Sequence, residues 1–352
     1  MLRPVATPKK IRAFQRSLLR WYRRHGRDLP WRRTHDPYAI LISEFMLQQT
    51  QLTTVIPYYN EWLRRFPDFA SLARASENDV LRTWQGLGYY ARARNLHSTA
   101  RAVADGHRGR FPQSIEQMRR LPGIGRYTAH AVASFAFDQS VPIVEANTAR
   151  VLTRLFELRT PINSAAGVER LWQYAARLVP IRKAADFNSA LVDLGALVCV
   201  PRKPQCPVCP VQKFCRAKEP ETLPLKKPRP PMKRLTEIHA FVVRRNRILL
   251  QQCTRRWRGM WMLPRLHARP RNRPPIYESI FPFTNHRVAL EVFAQRQQKI
   301  DAPRDGFTVA NRNSQHWIRI NSLESIPIPS PHLRALRHLL NEVTTAPPRR
   351  RQ

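Results

Sequence analysis

Four cysteines crowd one short stretch of this chain, in the order Cys199-x6-Cys206-x2-Cys209-x5-Cys215. Thiols this close in sequence, in a chain that begins without a signal-peptide pattern, point to metal binding and away from disulfides. A structural zinc site usually draws on two close pairs of ligands. Here there is a single Cys-x2-Cys pair, with the outer ligands set wider, and a loop of that kind can wrap a cubane iron–sulfur cluster. The spacing favours iron–sulfur, with zinc or a metal-free loop as the alternatives. Arg202 and Lys203 lie between the first two cysteines, where they suit phosphate contact or form a solvated turn. Cys253 stands alone and reads as an ordinary semi-buried thiol.

Charge narrows the partners. The 352 residues include 61 Lys and Arg against 24 Asp and Glu, a net charge of +37, with Arg far outnumbering Lys. Such a surface attracts polyanions through counterion release, which makes nucleic acid the expected partner. The alternative is an Arg-favouring genome composition. Hydrophobic residues make up 43% of the chain, enough for a packed core. No apolar run approaches the roughly 18 residues that span a bilayer, so a membrane role is not expected.

Residues 10–216 read as helical, with apolar residues at three- and four-residue spacing. Asp36 and Pro37 mark a helix start, with Tyr38 to Thr54 following and Pro57 as a break. Ser114-Ile115-Glu116-Gln117 has the spacing of a capping box. Between two helical stretches lies Leu121-Pro122-Gly123-Ile124-Gly125. Gly123 and Gly125 permit a tight turn that exposes backbone amides at the start of the next helix. That is a helix-hairpin-helix signature for gripping a DNA backbone, weighed against a plain helix–helix turn. Residues 223–236 are rich in Pro and basic residues and read as a linker. Beyond them, His239–Val243 and Arg247–Leu250 form a strand-like hairpin, and Leu333–Val343 reads as a closing helix. Residues 346–352 read as a disordered basic tail. The expected domains are therefore 1–222 and 237–345.

Taken together, Leu29-Pro30-Trp31, the run Ser43-Glu44-Phe45-Met46-Leu47-Gln48-Gln49-Thr50-Gln51, the stretch Gly86 to Asn95, the hairpin, the segment around Asn147 and the four-cysteine loop resemble the A/G-specific adenine DNA glycosylases. These belong to the endonuclease III-like helix-hairpin-helix superfamily. The resemblance is close over residues 10–220 and looser over 237–340. It implies a mainly α glycosylase domain with a 4Fe-4S loop at residues 199–215 and an α+β, Nudix-like C-terminal domain. It also implies excision of adenine mispaired with 8-oxoguanine or guanine in double-stranded DNA. With no targeting signal in the sequence, a cytoplasmic, nucleoid-associated monomer is expected.

The resemblance assigns roles that the residues can fill. Breaking a purine N-glycosidic bond needs a proton for the leaving base and negative charge near the oxocarbenium sugar. Glu44, followed by Phe45, Met46 and Leu47, is the candidate acid, since apolar surroundings raise a carboxyl pKa. Glu145 is the second carboxylate, where the family carries Asp, usually followed by Gly; here Ala146 follows. Tyr127 and Asn147 match positions beside the sugar. Bifunctional relatives place a Schiff-base Lys where Tyr127 stands, so no lyase chemistry is expected. Gln49, Thr50 and Tyr89 fall among residues that enter the duplex beside the lesion. Trp31, Arg32 and Ser189 fall near the adenine pocket, Ser189 replacing a Gln or Glu common there.

In the C-terminal domain, Arg265–Pro275 carries no carboxylate, so Nudix pyrophosphohydrolase chemistry is not expected. Phe283-Thr284-Asn285-His286 is close to the family's Phe-Ser/Thr-His lesion-reading loop, with a degenerate packing domain as the alternative. Two other functions stand beside the leading one. A mismatch binder without full catalysis is suggested by Glu145 and Ser189, and a pyrimidine-lesion glycosylase/lyase is disfavoured by Tyr127.

Overall fold

The computed structural model describes residues 7–228, 230–295 and 314–345. It divides into two compact units, Met1–Ala73 with Ser98–Arg229, and Arg74–His97 with Pro230–Gln352. The tail at residues 346–352 lies outside the described residues.

The first unit is helical. Helix α2 (Pro37–Leu47) is apolar on every side, and each residue from Tyr38 to Met46 is buried. A helix of that kind has to lie inside the domain, and α2 packs against α3 (Leu52–Arg65) and α8 (Arg126–Phe137). Asp36 caps α2 as expected, accepting from the amides of Tyr38 at 3.0 Å and Ala39 at 3.3 Å. The helix stops at Leu47, however, and does not run on to Thr54. Gln49 takes a left-handed φ of 58°, which no α-helix can continue through, and Thr54 belongs to α3. Pro57 lies inside α3 and does not end it. Pro57 and Thr53, whose carbonyl loses its i+4 donor, are both exposed. Ser114 precedes α7 (Ile115–Arg120), but its side chain caps no amide, so the expected capping box does not form.

A second layer of the unit joins α1 (Pro8–His25), α9 (Ala146–Phe156), α10 (Ala165–Leu178) and α11 (Ala184–Leu197). Phe14 of α1 meets Phe187 of α11 edge-on at 6.2 Å and Phe214 of the cysteine loop at 5.7 Å. Burying side chains such as Leu18 and Phe187 contributes about 1.5–3 kcal/mol apiece. The chain leaving the cysteine loop stays on this unit: Ile162 N–H donates to Leu225 O at 2.9 Å, and Asn163 Oδ1 accepts from Lys227 N–H at 2.7 Å.

The second unit holds two sheets. In one, β1 (Lys233–Phe241) pairs parallel with β6 (His286–Ala294), which pairs antiparallel with β5 (Tyr277–Phe283). In the other, β3 (Arg247–Gln252) pairs with β2 (Val243–Arg244), β4 (Trp261–Met262) and β7 (Gln315–Arg319). The expected hairpin is thus β2–β3. The strand structure begins at Lys233, inside the segment read as linker, because β6 supplies a partner that local composition does not reveal. The closing helix α12 runs Ser330–Thr345, starting before Leu333.

Residues Arg74–His97, read from sequence as part of the first domain, group with this second unit. Arg94 Nη1 donates to Arg258 O at 3.0 Å, and Gln85 Oε1 accepts from Ile328 N–H at 3.0 Å. Gly259 sits at a left-handed φ of 83°, where a Cβ would come within 2.9 Å of Glu77 Oε1. That turn favours glycine, and a side chain there would also have to push the Glu77 carboxylate aside.

Candidate active site

Glu44 is carried into the interior by α2 and is 5% exposed. Burial pushes its carboxyl up to about 7, and the nearby Glu145 charge adds to the rise; hydrogen bonding with Tyr127 and the Arg32 charge oppose it. Tyr127 sits in the first turn of α8, two residues past Gly125. Burial raises its phenol well above the usual range, so at neutral pH the hydroxyl keeps its proton and donates to Glu44.

Glu145 is the N-cap of α9. Its Oε2 accepts from Asn147 N–H and its Oε1 from Thr148 N–H, each at 2.8 Å, while its own N–H donates to Thr148 Oγ1 at 2.7 Å. The longer side chain is thus accommodated by folding back over the helix start, where the positive end of the helix dipole favours an anion. Burial raises its pKa, and the two amides oppose the rise.

Sequence reasoning missed what lies behind this carboxylate. Arg150 donates through Nη2 to Asn147 Oδ1 at 2.8 Å and to Gly195 O at 2.7 Å, and through Nε to Cys199 O at 2.7 Å. Arg154, 1% exposed, donates to the carbonyls of Val200 at 2.7 Å and Pro201 at 2.8 Å and to Cys199 Sγ at 3.3 Å. Gly195 lets α11 approach so closely that a Cβ there would lie 2.6 Å from Asn147 Cβ. Arg150 and Arg154 recur at i,i+4 on the buried side of α9, but nothing in the sequence separates them from a solvated pair.

Arg32 is taken up by a buried ion pair. Asp193 of α11, with a fully buried side chain, accepts from Arg32 Nη1 at 2.7 Å and Nη2 at 2.9 Å, and from Arg27 N–H at 2.8 Å and Nε at 2.7 Å. Trp31 is 8% exposed and meets Tyr59 edge-on at 5.3 Å. Ser189 is 6% exposed on α11. These three candidates are packed or paired within the protein, whereas other predicted contacts are displayed outward. Gln49 is exposed at its left-handed φ of 58°, and Thr50 Oγ1 donates to Gln48 O at 3.4 Å. Gly123 has a φ of 75°, and Gly125, the N-cap of α8, has nothing within 4 Å of a would-be Cβ, leaving its surroundings open to a ligand. Arg202 and Lys203 are exposed.

In the second unit, Tyr89 is 46% exposed at a φ of 49°, with the Arg92 guanidinium 5.5 Å from its ring centre. Thr284 and Asn285 form the exposed tip of the β5–β6 hairpin, Thr284 with a φ of 51°, between the paired Phe283 and His286. Arg256 lies 4.4 Å from the Phe283 ring centre and pairs with Glu237 at 2.7 Å.

Cys199 follows α11, and Cys206, Cys209 and Cys215 border two short 3-10 turns. Burial pushes the Cys209 thiol up to about 11, and the other three thiols are near enough to add to the shift. Among the described residues, no three His, Cys, Asp or Glu side chains converge closely enough to hold a single metal ion. Nor is any helix among them long and apolar enough to cross a membrane.

A helical hairpin, with a protonatable carboxyl buried beside a second carboxylate, defines a base-excision class of protein. Residues 42–175 match the HhH-GPD superfamily of base excision DNA repair proteins. The human adenine DNA glycosylase is 44% identical over 219 residues, 60% of this chain and 40% of that protein. The adenine DNA glycosylase of Buchnera aphidicola from Schizaphis graminum is 34% identical over 260 residues, 72% of this chain and 75% of that protein. A solved thermostable thymine-DNA glycosylase superposes with a TM-score of 0.55 at 34% identity, covering 60% of this chain and 97% of that one. The chain belongs to the adenine DNA glycosylase family. Its match spans less than half the length of the human relative.

Proposed function

We propose that this chain hydrolyses the N-glycosidic bond of adenine mispaired with 8-oxoguanine or guanine in duplex DNA, as a monomer acting at the nucleoid in the cytoplasm. The observation that supports this most is the buried Glu44 carboxyl, hydrogen-bonded to Tyr127 and electrostatically coupled to Glu145. The target base is extruded from the stack. Protonated Glu44 gives its proton to the adenine ring as the bond from the base nitrogen to the sugar carbon breaks, and the bonding pair leaves with the base. The anionic Glu145 carboxylate stabilises the oxocarbenium sugar. Water then adds to the sugar carbon, and its proton returns to the Glu44 carboxylate. Tyr127 orients Glu44 and offers no amine, so no Schiff base forms and the strand is not cut.

Gln49 and Tyr89, each on an exposed left-handed turn, enter and stack within the opened duplex, and Thr50 borders that turn. Trp31, Arg32, Ser189 and Asn147 shape the pocket for base and sugar. Gly123 and Gly125 present amides to a phosphate, and Arg202 and Lys203 add cations. Phe283, Thr284, Asn285 and His286 read the base opposite the adenine.

Cys199, Cys206, Cys209 and Cys215 would hold a 4Fe-4S cluster. The fit lies in Arg150 and Arg154, two buried cations whose hydrogen-bond acceptors among the described residues are backbone carbonyls, the Asn147 amide oxygen and Cys199 Sγ, and not a carboxylate. A thiolate-ligated anionic group there would offset their charge. Such a cluster supplies rigidity to the loop and an anionic centre.

The test is single-turnover incubation with a duplex containing one adenine opposite 8-oxoguanine. Free adenine with an intact strand is expected. Tight binding without adenine release at large enzyme excess would make this chain a mismatch binder. A strong borohydride-trapped adduct would contradict the assignment of Tyr127.

A further inference from the structure

Helix α1 carries a row of cations that neither the fold nor the candidate site uses. Its 18 residues include no acid. Lys9, Arg12, Arg16, Arg20, Arg23 and Arg24 are all exposed, and among the described residues none is paired with a carboxylate. Arg12, Arg16, Arg20 and Arg24 repeat at i,i+4, so they form one line along the helix, roughly 18 Å long at 1.5 Å per residue.

This line weakens the helix that bears it. Like charges at i,i+4 repel along the line, and of its four members only Arg24 lies in the last turn, where the negative end of the helix dipole favours a cation. Helix stability therefore does not account for the arrangement. Nor can the line turn away from solvent, because Phe14 and Leu18 on the opposite face are locked in the core with Phe187 and Phe214.

Helix α1 is tied at two points to parts of the candidate site. Just beyond its C-terminus, Arg27 binds Asp193, the carboxylate that also holds Arg32. Along its length, Phe14 packs on Phe214, next to the exposed Lys213 of the cysteine loop. A rigid, unpaired basic line continuous with these elements fits a regular polyanion.

We propose that the α1 face formed by Arg12, Arg16, Arg20 and Arg24 is a second DNA-binding surface, which holds backbone phosphates of duplex outside the mispair. The inference rests on the proposed function only in taking duplex DNA as the partner. It adds a sequence-independent grip separate from the helical hairpin.

The test measures affinity for a mispair-free duplex of about 30 base pairs across a range of salt concentrations. Wild type is compared with Arg12→Gln/Arg16→Gln/Arg20→Gln and with the corresponding triple Lys variant. Each lost phosphate contact lowers the slope of log K against log salt by about 0.9, so the Gln variant should lose about 2 to 3 units. The Lys variant should keep the wild-type slope. The Gln variant should melt no lower than wild type, since repulsion within the helix has been removed. A Gln slope within one unit of wild type overturns the proposal and leaves α1 as a solvated face. An equal fall in the Gln and Lys variants also overturns it, by making the effect structural. Because the duplex holds no mispair, failure to release adenine would sink the glycosylase reading and leave this result standing.

Discussion

Arg150 donates to the side-chain oxygen of Asn147 at 2.8 Å, and with its other edge it holds the carbonyl of Cys199 at 2.7 Å. Asn147 in turn gives its backbone amide to Glu145 at 2.8 Å. One guanidinium thus joins the cysteine loop to the carboxylate that faces the sugar in the proposed reaction. Replacing Arg150 by Met keeps the stem and removes every donor. Hydrogen bonds from charged groups contribute about 1.5–3 kcal/mol each, so the variant should melt several degrees lower and release adenine more slowly. Calorimetry and single-turnover kinetics check this, and an unchanged melt and rate would show the bridge to be idle.

Glu44→Gln removes the proton donor while keeping size and burial. Adenine release should fall by about 100- to 10,000-fold, the usual range for general acid–base catalysis, with duplex binding retained. In the wild type, release should decline as pH rises through about 7, where the carboxyl loses its proton. Stability moves with it. The Glu44 pKa is raised in the folded state, so its contribution is complete below the unfolded value of 4.5 and is lost as pH rises through about 7. Glu44→Gln should therefore match wild type near pH 4 and exceed it by about 3 kcal/mol at pH 8. A variant no more stable than wild type at pH 8 would mean that the carboxyl is solvated.

Glu145 offers a separation of two roles. Glu145→Ala removes both the cap and the charge, so about 1 kcal/mol of stability should go along with the rate. Glu145→Gln keeps one oxygen for the helix amides, and loses the charge and the second acceptor. Its rate should drop as far as that of Glu145→Ala, while its melting temperature falls less. Rate losses that follow the stability losses in both variants would argue that the carboxylate acts on the fold alone.

Asp193→Asn should destabilise the first unit by about 3 kcal/mol, because it leaves Arg27 and Arg32 without their counter-charge at a buried position. Denaturant titration measures the loss. A change below about 0.5 kcal/mol, the usual size of a surface substitution, would show that water already compensates this pair.

Iron analysis and visible spectra decide the cysteine loop. Purified protein should hold about four iron atoms per chain and absorb broadly around 400 nm. Cys209→Ser should lower both. Stoichiometric zinc in their place would identify a different group.

Much of the first unit could be read from residue order. The Asp36 cap, the hairpin at Gly123 and Gly125, and the burial of Glu44 follow from local chemistry: a carboxylate before Pro, paired glycines, an apolar run. What could not be read depends on distant partners. The end of α2 at Leu47 is set by the left-handed turn at Gln49, a residue type that usually continues a helix. The start of β1 at Lys233 depends on pairing with His286, more than fifty residues away. Arg150 and Arg154 look like solvated charges until α11 and the cysteine loop close over them. Arg32 was placed near the base pocket, and Asp193 gives it a structural anchor that its neighbours in sequence do not announce.

Gln49, Tyr89, Lys203 and Thr284 are side-chain-bearing residues held at left-handed φ angles between 49° and 58°. Each is also assigned to touch DNA. An unfavourable twist at such a tip is set when the chain folds, so it need not be acquired during the encounter. In the proposed reaction the folded protein would thus meet DNA with these tips already in shape. Substituting Gly at any of these four positions would relax the twist, widen the range of poses, and slow engagement even where the lost side chain made no bond of its own.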